Sequence, residues 1–162
     1  MKIAHCLLQG RSGHDAGLSL LTALYREETG KELPEICRTP RGKPYFPENP
    51  VHFSITHTNN HAFCALSPTP IGIDAEELTR IINPRLTEKI LSPQEMEAYL
   101  AADDKNRALL TFWVLKEASA KCSGEGINGY PNHTNFSLKD PRVQERDGCL
   151  LAIITKESLH AV

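Results

Sequence analysis

NRALLTFWVLKEASAKCSG, residues 106–124, is the strongest helical pattern in the chain and fixes the reading of what surrounds it. Leu110, Trp113, Glu117 and Lys121 recur on one face, and Phe112, Leu115, Ser119 and Cys122 on the face beside it. Gly124 and Gly126 end the run. Ile71 to Glu76 reads as a strand before this helix, and Asn135 to Lys139 and Cys149 to Thr155 as two strands after it. Toward the N-terminus the same order recurs. Lys2 to Gln9 is an apolar strand, followed by a turn with Asp15 as the expected N-cap. Leu18, Leu21, Leu24 and Tyr25 mark an amphipathic helix stopped by Gly30. Val51 to Thr58 and His61 to Leu66 then flank the turn Asn59-Asn60. Strand, helix, strand, strand thus occurs twice. The expected fold is α+β, with two similar halves, residues 1–67 and 68–162. Each is a long helix on a small, mostly antiparallel sheet, and the active site is expected in the cleft between them. Within the second half, Pro84 to Leu91 reads as a short helix. Ser92-Pro93-Gln94-Glu95 starts another, with Ser92 as N-cap and Glu95 closing a capping box.

Composition narrows the functions. The chain has 162 residues and a formal net charge of −2, so no global basic field attracts nucleic acid and any anion site must be built locally. Its five cysteines are odd in number and lack C-x-x-C spacing, which argues against a zinc knuckle or a disulfide framework. The N-terminus is too short and polar for a signal peptide, and no apolar run approaches the ~20 residues of a membrane span. The expectation is a cytoplasmic monomer with neither nucleic-acid nor membrane partners.

Three elements carry chemistry. Asp74 and Glu76, two apart on a strand, point to one side and repel unless a cation or base lies between them. Hard oxygens at that spacing suit Mg²⁺, although a solvated acidic strand end explains them equally well when read alone. Glu117 and Lys121 have i,i+4 spacing and form an ordinary surface pair on an arbitrary helix. Here Trp113 shares their face, which points to a cleft wall where the carboxylate completes a metal site and the ammonium neutralises a phosphate. Arg38, Arg41, Lys43 and His57, with the Thr56 and Thr58 hydroxyls, form a basic group around Gly42 and Pro44, which is the chemistry of a phosphate clamp. The alternative is a surface loop with ordinary Lys and Arg, and His57 taken alone fits better as a strand histidine satisfied by its neighbours.

In order along the chain, Gly42-Lys43-Pro44, Phe53 to Thr58, Gly72-Ile73-Asp74-Ala75-Glu76 and Trp113 to Lys121 with Gly124-Glu125-Gly126 resemble the 4′-phosphopantetheinyl transferase superfamily. The resemblance is to its larger, pseudo-dimeric type, known from activators of surfactin-type peptide synthetases, shortened here in the region before Gly42. It implies an Mg²⁺-dependent transfer of the phosphopantetheine arm of coenzyme A to a serine of an acyl or peptidyl carrier protein. By that resemblance Asp74, Glu76 and Glu117 are the Mg²⁺ ligands. Lys121 sits at the pyrophosphate, and Arg41, Lys43, Pro44, Thr56 and His57 bind the nucleotide end of coenzyme A. Glu117 is the first choice of general base and Glu95 the reserve. The competing readings are a homologue that binds coenzyme A or a carrier without catalysis, and a metal-dependent phosphodiesterase using the same carboxylates.

Overall fold

The computed structural model describes residues 1–126 and 134–159. The strands are β1 (Lys2–Leu7), β2 (Cys37–Arg38), β3 (Pro44–Tyr45), β4 (His52–His57), β5 (His61–Ser67), β6 (Ile71–Glu77), β7 (Val143–Arg146) and β8 (Cys149–Thr155). The helices are α1 (Gly13–Thr29), α2 (Thr87–Ile90), α3 (Pro93–Ala101), α4 (Lys105–Ser123) and α5 (Lys156–Leu159), with a 3₁₀ turn over Pro84–Leu86. This is the mixed α+β class the pattern implied. None of the described helices is long and apolar enough to cross a membrane.

The two three-stranded sheets have matching strand orders, β1-β5-β4 and β6-β8-β7, and every pairing is antiparallel. Phe63 and Ala65 of β5, Ile71, Ile73 and Ala75 of β6, and Cys149 and Leu151 of β8 form one buried cluster, so the sheets share a core. On α4, Leu110, Phe112, Val114, Leu115 and Ala118 are fully buried. Each large apolar side chain among them contributes about 1.5–3 kcal/mol of transfer free energy.

Glycines set how closely helix and strand approach. On β6 the face opposite that core carries Gly72, Asp74 and Glu76. A Cβ added to Gly72 would lie 2.0 Å from the Ala118 carbonyl oxygen and 2.3 Å from the Cys122 nitrogen. Helix α4 therefore rests on bare backbone there, which draws its Glu117 and Lys121 over Asp74. In α1, Gly17 faces the Ile55 side chain and Gly13 the His57 ring, each with a hypothetical Cβ only 2.4 Å away. The i,i+4 step of the helix thus matches the i,i+2 step of β4.

Three local expectations change. Ser12, rather than Asp15, is the N-cap of α1: its hydroxyl accepts from the Asp15 N–H at 3.0 Å, and Asp15 supplies first-turn charge instead. Asn135 to Lys139 forms no strand. The last hairpin is built by Val143–Arg146 and Cys149–Thr155 around Asp147 (φ 52°) and Gly148 (φ 75°), a turn that needs left-handed backbone at both central residues. Pro84 to Leu91 splits into the 3₁₀ turn and the single turn of α2. The proline-rich segment before β4 contains the two-residue ladder of β2 and β3, closed by Gly42 at φ 87°. The helix stops at Gly30 and Gly124 do occur, both left-handed, with N–H groups donating to Arg26 O and Ala120 O.

Candidate active site

Three elements converge on Asp74. Strand β4 alternates, so that Phe53, Ile55 and His57 face α1 while Ser54, Thr56 and the following Thr58 reach toward β6. The Ile73 N–H donates to Ser54 Oγ at 3.0 Å, Thr56 Oγ1 donates to Asp74 Oδ1 at 3.0 Å, and Thr58 Oγ1 donates to Glu77 Oε1 at 2.7 Å. These hydroxyls join two strands that share no ladder. From the other side, Lys121 Nζ donates to the same Asp74 oxygen at 2.7 Å. Lys121 therefore crosses to the strand instead of pairing with Glu117 along its own helix. Asp74 Oδ2 is buried and has no hydrogen-bond partner among the described residues. An orphaned carboxylate oxygen costs about 1–3 kcal/mol or more, and a ligand at that position removes the cost.

Glu76 accepts on Oε1 from Trp113 Nε1 at 3.2 Å and from the Arg80 guanidinium. Trp113, on the same helix face as Glu117, is thus tied to the Glu76 carboxylate. Glu117 is half-buried. Burial pushes its pKa up, the Asp74 charge adds to that, and Lys121 and Arg80 oppose it. Asp74 and Glu117 therefore share one electrostatic environment. Among the described residues no three acidic, histidine or cysteine side chains form a ready-made metal cluster. Two internal cations, Lys121 and Arg80, are seated on Asp74 and Glu76 instead. The donors nevertheless fit a hard divalent ion: three carboxylates, one with a buried oxygen lacking a partner.

Beside this cluster opens a pocket of about 250 Å³, lined by Arg41, Lys43 and Pro44 from the β2–β3 loop, Phe53 and Ile55 from β4, and Glu117 and Lys121 from α4. Lys43 lies across Gly124, whose added Cβ would meet the Lys43 Cδ at 2.9 Å, and its ammonium donates to Cys122 O at 2.6 Å. Burial lowers the Lys43 pKa. Arg41 Nη1 reaches Glu125 O at 3.4 Å, so the same loop is tied to the end of α4 twice.

The structure thus gathers Arg41, Lys43, Pro44, Glu117 and Lys121 around one pocket; Asp74 is joined to it through Lys121, and Glu76 lies on a separate concavity with Arg80. Two residues expected to share that pocket stand elsewhere. The Thr56 hydroxyl is committed to Asp74, and His57 is exposed on a separate concavity with Gly13, Glu76 and Arg80.

Glu95 leaves the catalytic set. Its carboxylate is fully buried, 2.8 Å from the equally buried Lys116 ammonium, and accepts from the N–H groups of Ser92 and Phe136 at 2.9 and 2.8 Å. Both halves of the capping box are present. With both oxygens engaged and no solvent path, this group cannot take a substrate proton; it ties α3 to α4 and to the backbone at Phe136. The pattern missed Arg80. Its only signal was one arginine four residues beyond Glu76, in a stretch that reads as a connector.

Carboxylates and a lysine thus stand beside a pocket lined by a basic loop. Residues 70–161 match the model of the 4′-phosphopantetheinyl transferase superfamily, and the chain belongs to that superfamily. It is 31% identical over 102 residues to a 4′-phosphopantetheinyl transferase of Bacillus subtilis, covering 61% of this chain and 45% of that protein. The 4′-phosphopantetheinyl transferase HetI of a Nostoc species is 35% identical over 95 residues, 54% of this chain and 40% of that one. A holo-(acyl-carrier-protein) synthase of Buchnera aphidicola is 41% identical over 64 residues, 36% of this chain and 51% of that one. The chain spans about half or less of the length of these curated relatives.

Proposed function

We propose that this chain transfers the 4′-phosphopantetheine arm of coenzyme A to a serine hydroxyl of an apo acyl or peptidyl carrier protein and releases adenosine 3′,5′-bisphosphate. The observation that carries the reading is the Asp74 carboxylate. On one oxygen it holds Lys121, which lines a pocket with a basic loop, and its second, buried oxygen has no partner among the described residues. The names of the relatives, transferases and a carrier-protein synthase, support the same substrates.

In this reading the nucleotide end of coenzyme A lies against Arg41, Lys43 and Pro44, with Phe53 and Ile55 as apolar walls. Lys121 faces the pyrophosphate and neutralises charge that grows on the leaving bisphosphate. Asp74, Glu76 and Glu117 would hold Mg²⁺, which when bound supplies Lewis acidity at the diphosphate oxygens. The serine oxygen forms a bond to the β-phosphorus as the bond to the oxygen of the adenosine 5′-phosphate breaks. The serine proton passes to Glu117 or to a water that Glu117 orients. Thr56 fixes the Asp74 rotamer, and Trp113 fixes that of Glu76. The protein is expected to act as a monomer in the cytoplasm.

The test is intact-mass analysis of apo-carriers incubated with coenzyme A, Mg²⁺ and the protein. A gain of one phosphopantetheine arm is expected, abolished by Asp74→Ala and by Glu117→Ala. Coenzyme A binding with no mass gain on fatty-acid, polyketide or peptide-synthetase carriers would overturn the reading and leave a non-catalytic binder.

A further inference from the structure

Arg80 has no place in the reaction just described, yet its guanidinium donates to Glu76 Oε1, the oxygen that also accepts from Trp113. The two donors differ in freedom. Trp113 comes from the middle of the buried helix α4, whereas the Arg80 side chain is 47% exposed over a Glu76 carboxylate that is only 11% exposed. The Arg80 backbone is fixed. Its N–H donates to Glu77 O at 2.9 Å, its carbonyl accepts from Asn106 Nδ2 at 2.8 Å, and the Ile82 N–H donates to Asn106 Oδ1 at 3.3 Å. A pinned base under a half-solvated side chain makes a pivot that reaches Glu76 in one rotamer and water in others.

Building on the metal reading above, we propose that Arg80 is an internal counter-cation that occupies the Glu76 carboxylate until a divalent ion displaces it, so that this one side chain sets the metal affinity of the free protein. The physical basis is competition. Carboxylates brought together on one ion repel one another, and Arg80 supplies counter-charge at Glu76 while no ion is there. The incoming ion must break the Arg80 contact and then tolerate the guanidinium nearby.

The test is Mn²⁺ titration of the metal-free protein without coenzyme A, read from the free-ion electron paramagnetic resonance signal. Arg80→Gln is expected to bind Mn²⁺ on the order of tenfold more tightly than the parent, from the lost contact and lost like-charge repulsion. Arg80→Lys, which keeps the charge on a head that cannot form the guanidinium fork, should fall between the two. Equal or weaker Mn²⁺ binding by Arg80→Gln overturns the proposal. If Arg80→Gln fails to fold by circular dichroism, Arg80→Lys decides: affinity at or below the parent overturns it. Asp74→Asn separates the two readings. If it binds Mn²⁺ like the parent, the metal assignment itself fails. If binding needs Asp74 but ignores Arg80, only the counter-cation inference fails.

Discussion

Replacing Gly72 with alanine perturbs a point where strand β6 and helix α4 meet backbone to backbone. The new Cβ would lie 2.0 Å from Ala118 O and 2.3 Å from Cys122 N, where contacts below 3.0 Å are essentially never seen. Both obstacles are main-chain atoms of a buried helix, so no side chain can rotate to make room. Helix and strand must separate by about 1 Å, an overpacking that costs roughly 1–3 kcal/mol. At this chain length that lowers Tm by roughly 2–4 °C per kcal/mol. The functional effect is larger than the stability effect. Lys121 reaches Asp74 at 2.7 Å from the same stretch of helix, and a displacement of about 1 Å in a catalytic constellation costs on the order of 100-fold in turnover. The assay pairs a thermal melt with transfer to an apo-carrier at saturating coenzyme A. Gly17→Ala is the comparison: its obstacle, 2.4 Å away, is the Ile55 Cγ2 methyl, which can give where a peptide group cannot, and it lies away from Asp74. A Gly72→Ala protein with the parent's Tm and turnover would refute the argument that bare backbone at this position sets the site.

Glu117→Gln should change how stability depends on pH. Because the folded-state pKa of Glu117 is raised, the folded chain binds this proton more tightly than the unfolded chain. Stability from this group is therefore lost as pH rises from the ordinary value of 4.5 through the raised one. The parent minus Glu117→Gln difference in unfolding free energy should fall over that window in metal-free buffer; a flat difference contradicts the burial account. Glu95→Gln removes the buried carboxylate charge paired with Lys116 and should cost about 3–5 kcal/mol in chemical denaturation, whereas Glu95→Leu with Lys116→Met should cost far less. A Glu95→Gln protein as stable as the parent but inactive would return Glu95 to the catalytic set. Lys43→Ala should mainly raise KM for coenzyme A, through binding common to ground and transition states, with a Tm loss of a few degrees from the vacated Cys122 carbonyl. An unchanged KM with reduced kcat would remove Lys43 from the nucleotide end.

Local physics made much of this protein legible in its sequence. Periodicity marked α1 and α4, since an amphipathic face must recur every three or four residues. Glycine marked their ends, and alternation put Asp74 and Glu76 on one side of β6. The order of four short blocks was enough to indicate the superfamily. Partnership across the fold was not legible, because it depends on which surfaces meet. Glu95 satisfied two readings from sequence, and only the approach of Lys116 and Phe136 chose between them. Lys121 had a partner four residues away on its own helix, yet the close seat of α4 on Gly72 delivered it to Asp74. Arg80, without a pattern of its own, gained its place from the turn that returns it to Glu76 and from the asparagine of α4 that fixes that turn. Sequence specified which groups exist and which way each element presents them; the distances between elements, and hence every charge pairing at this site, were settled by packing.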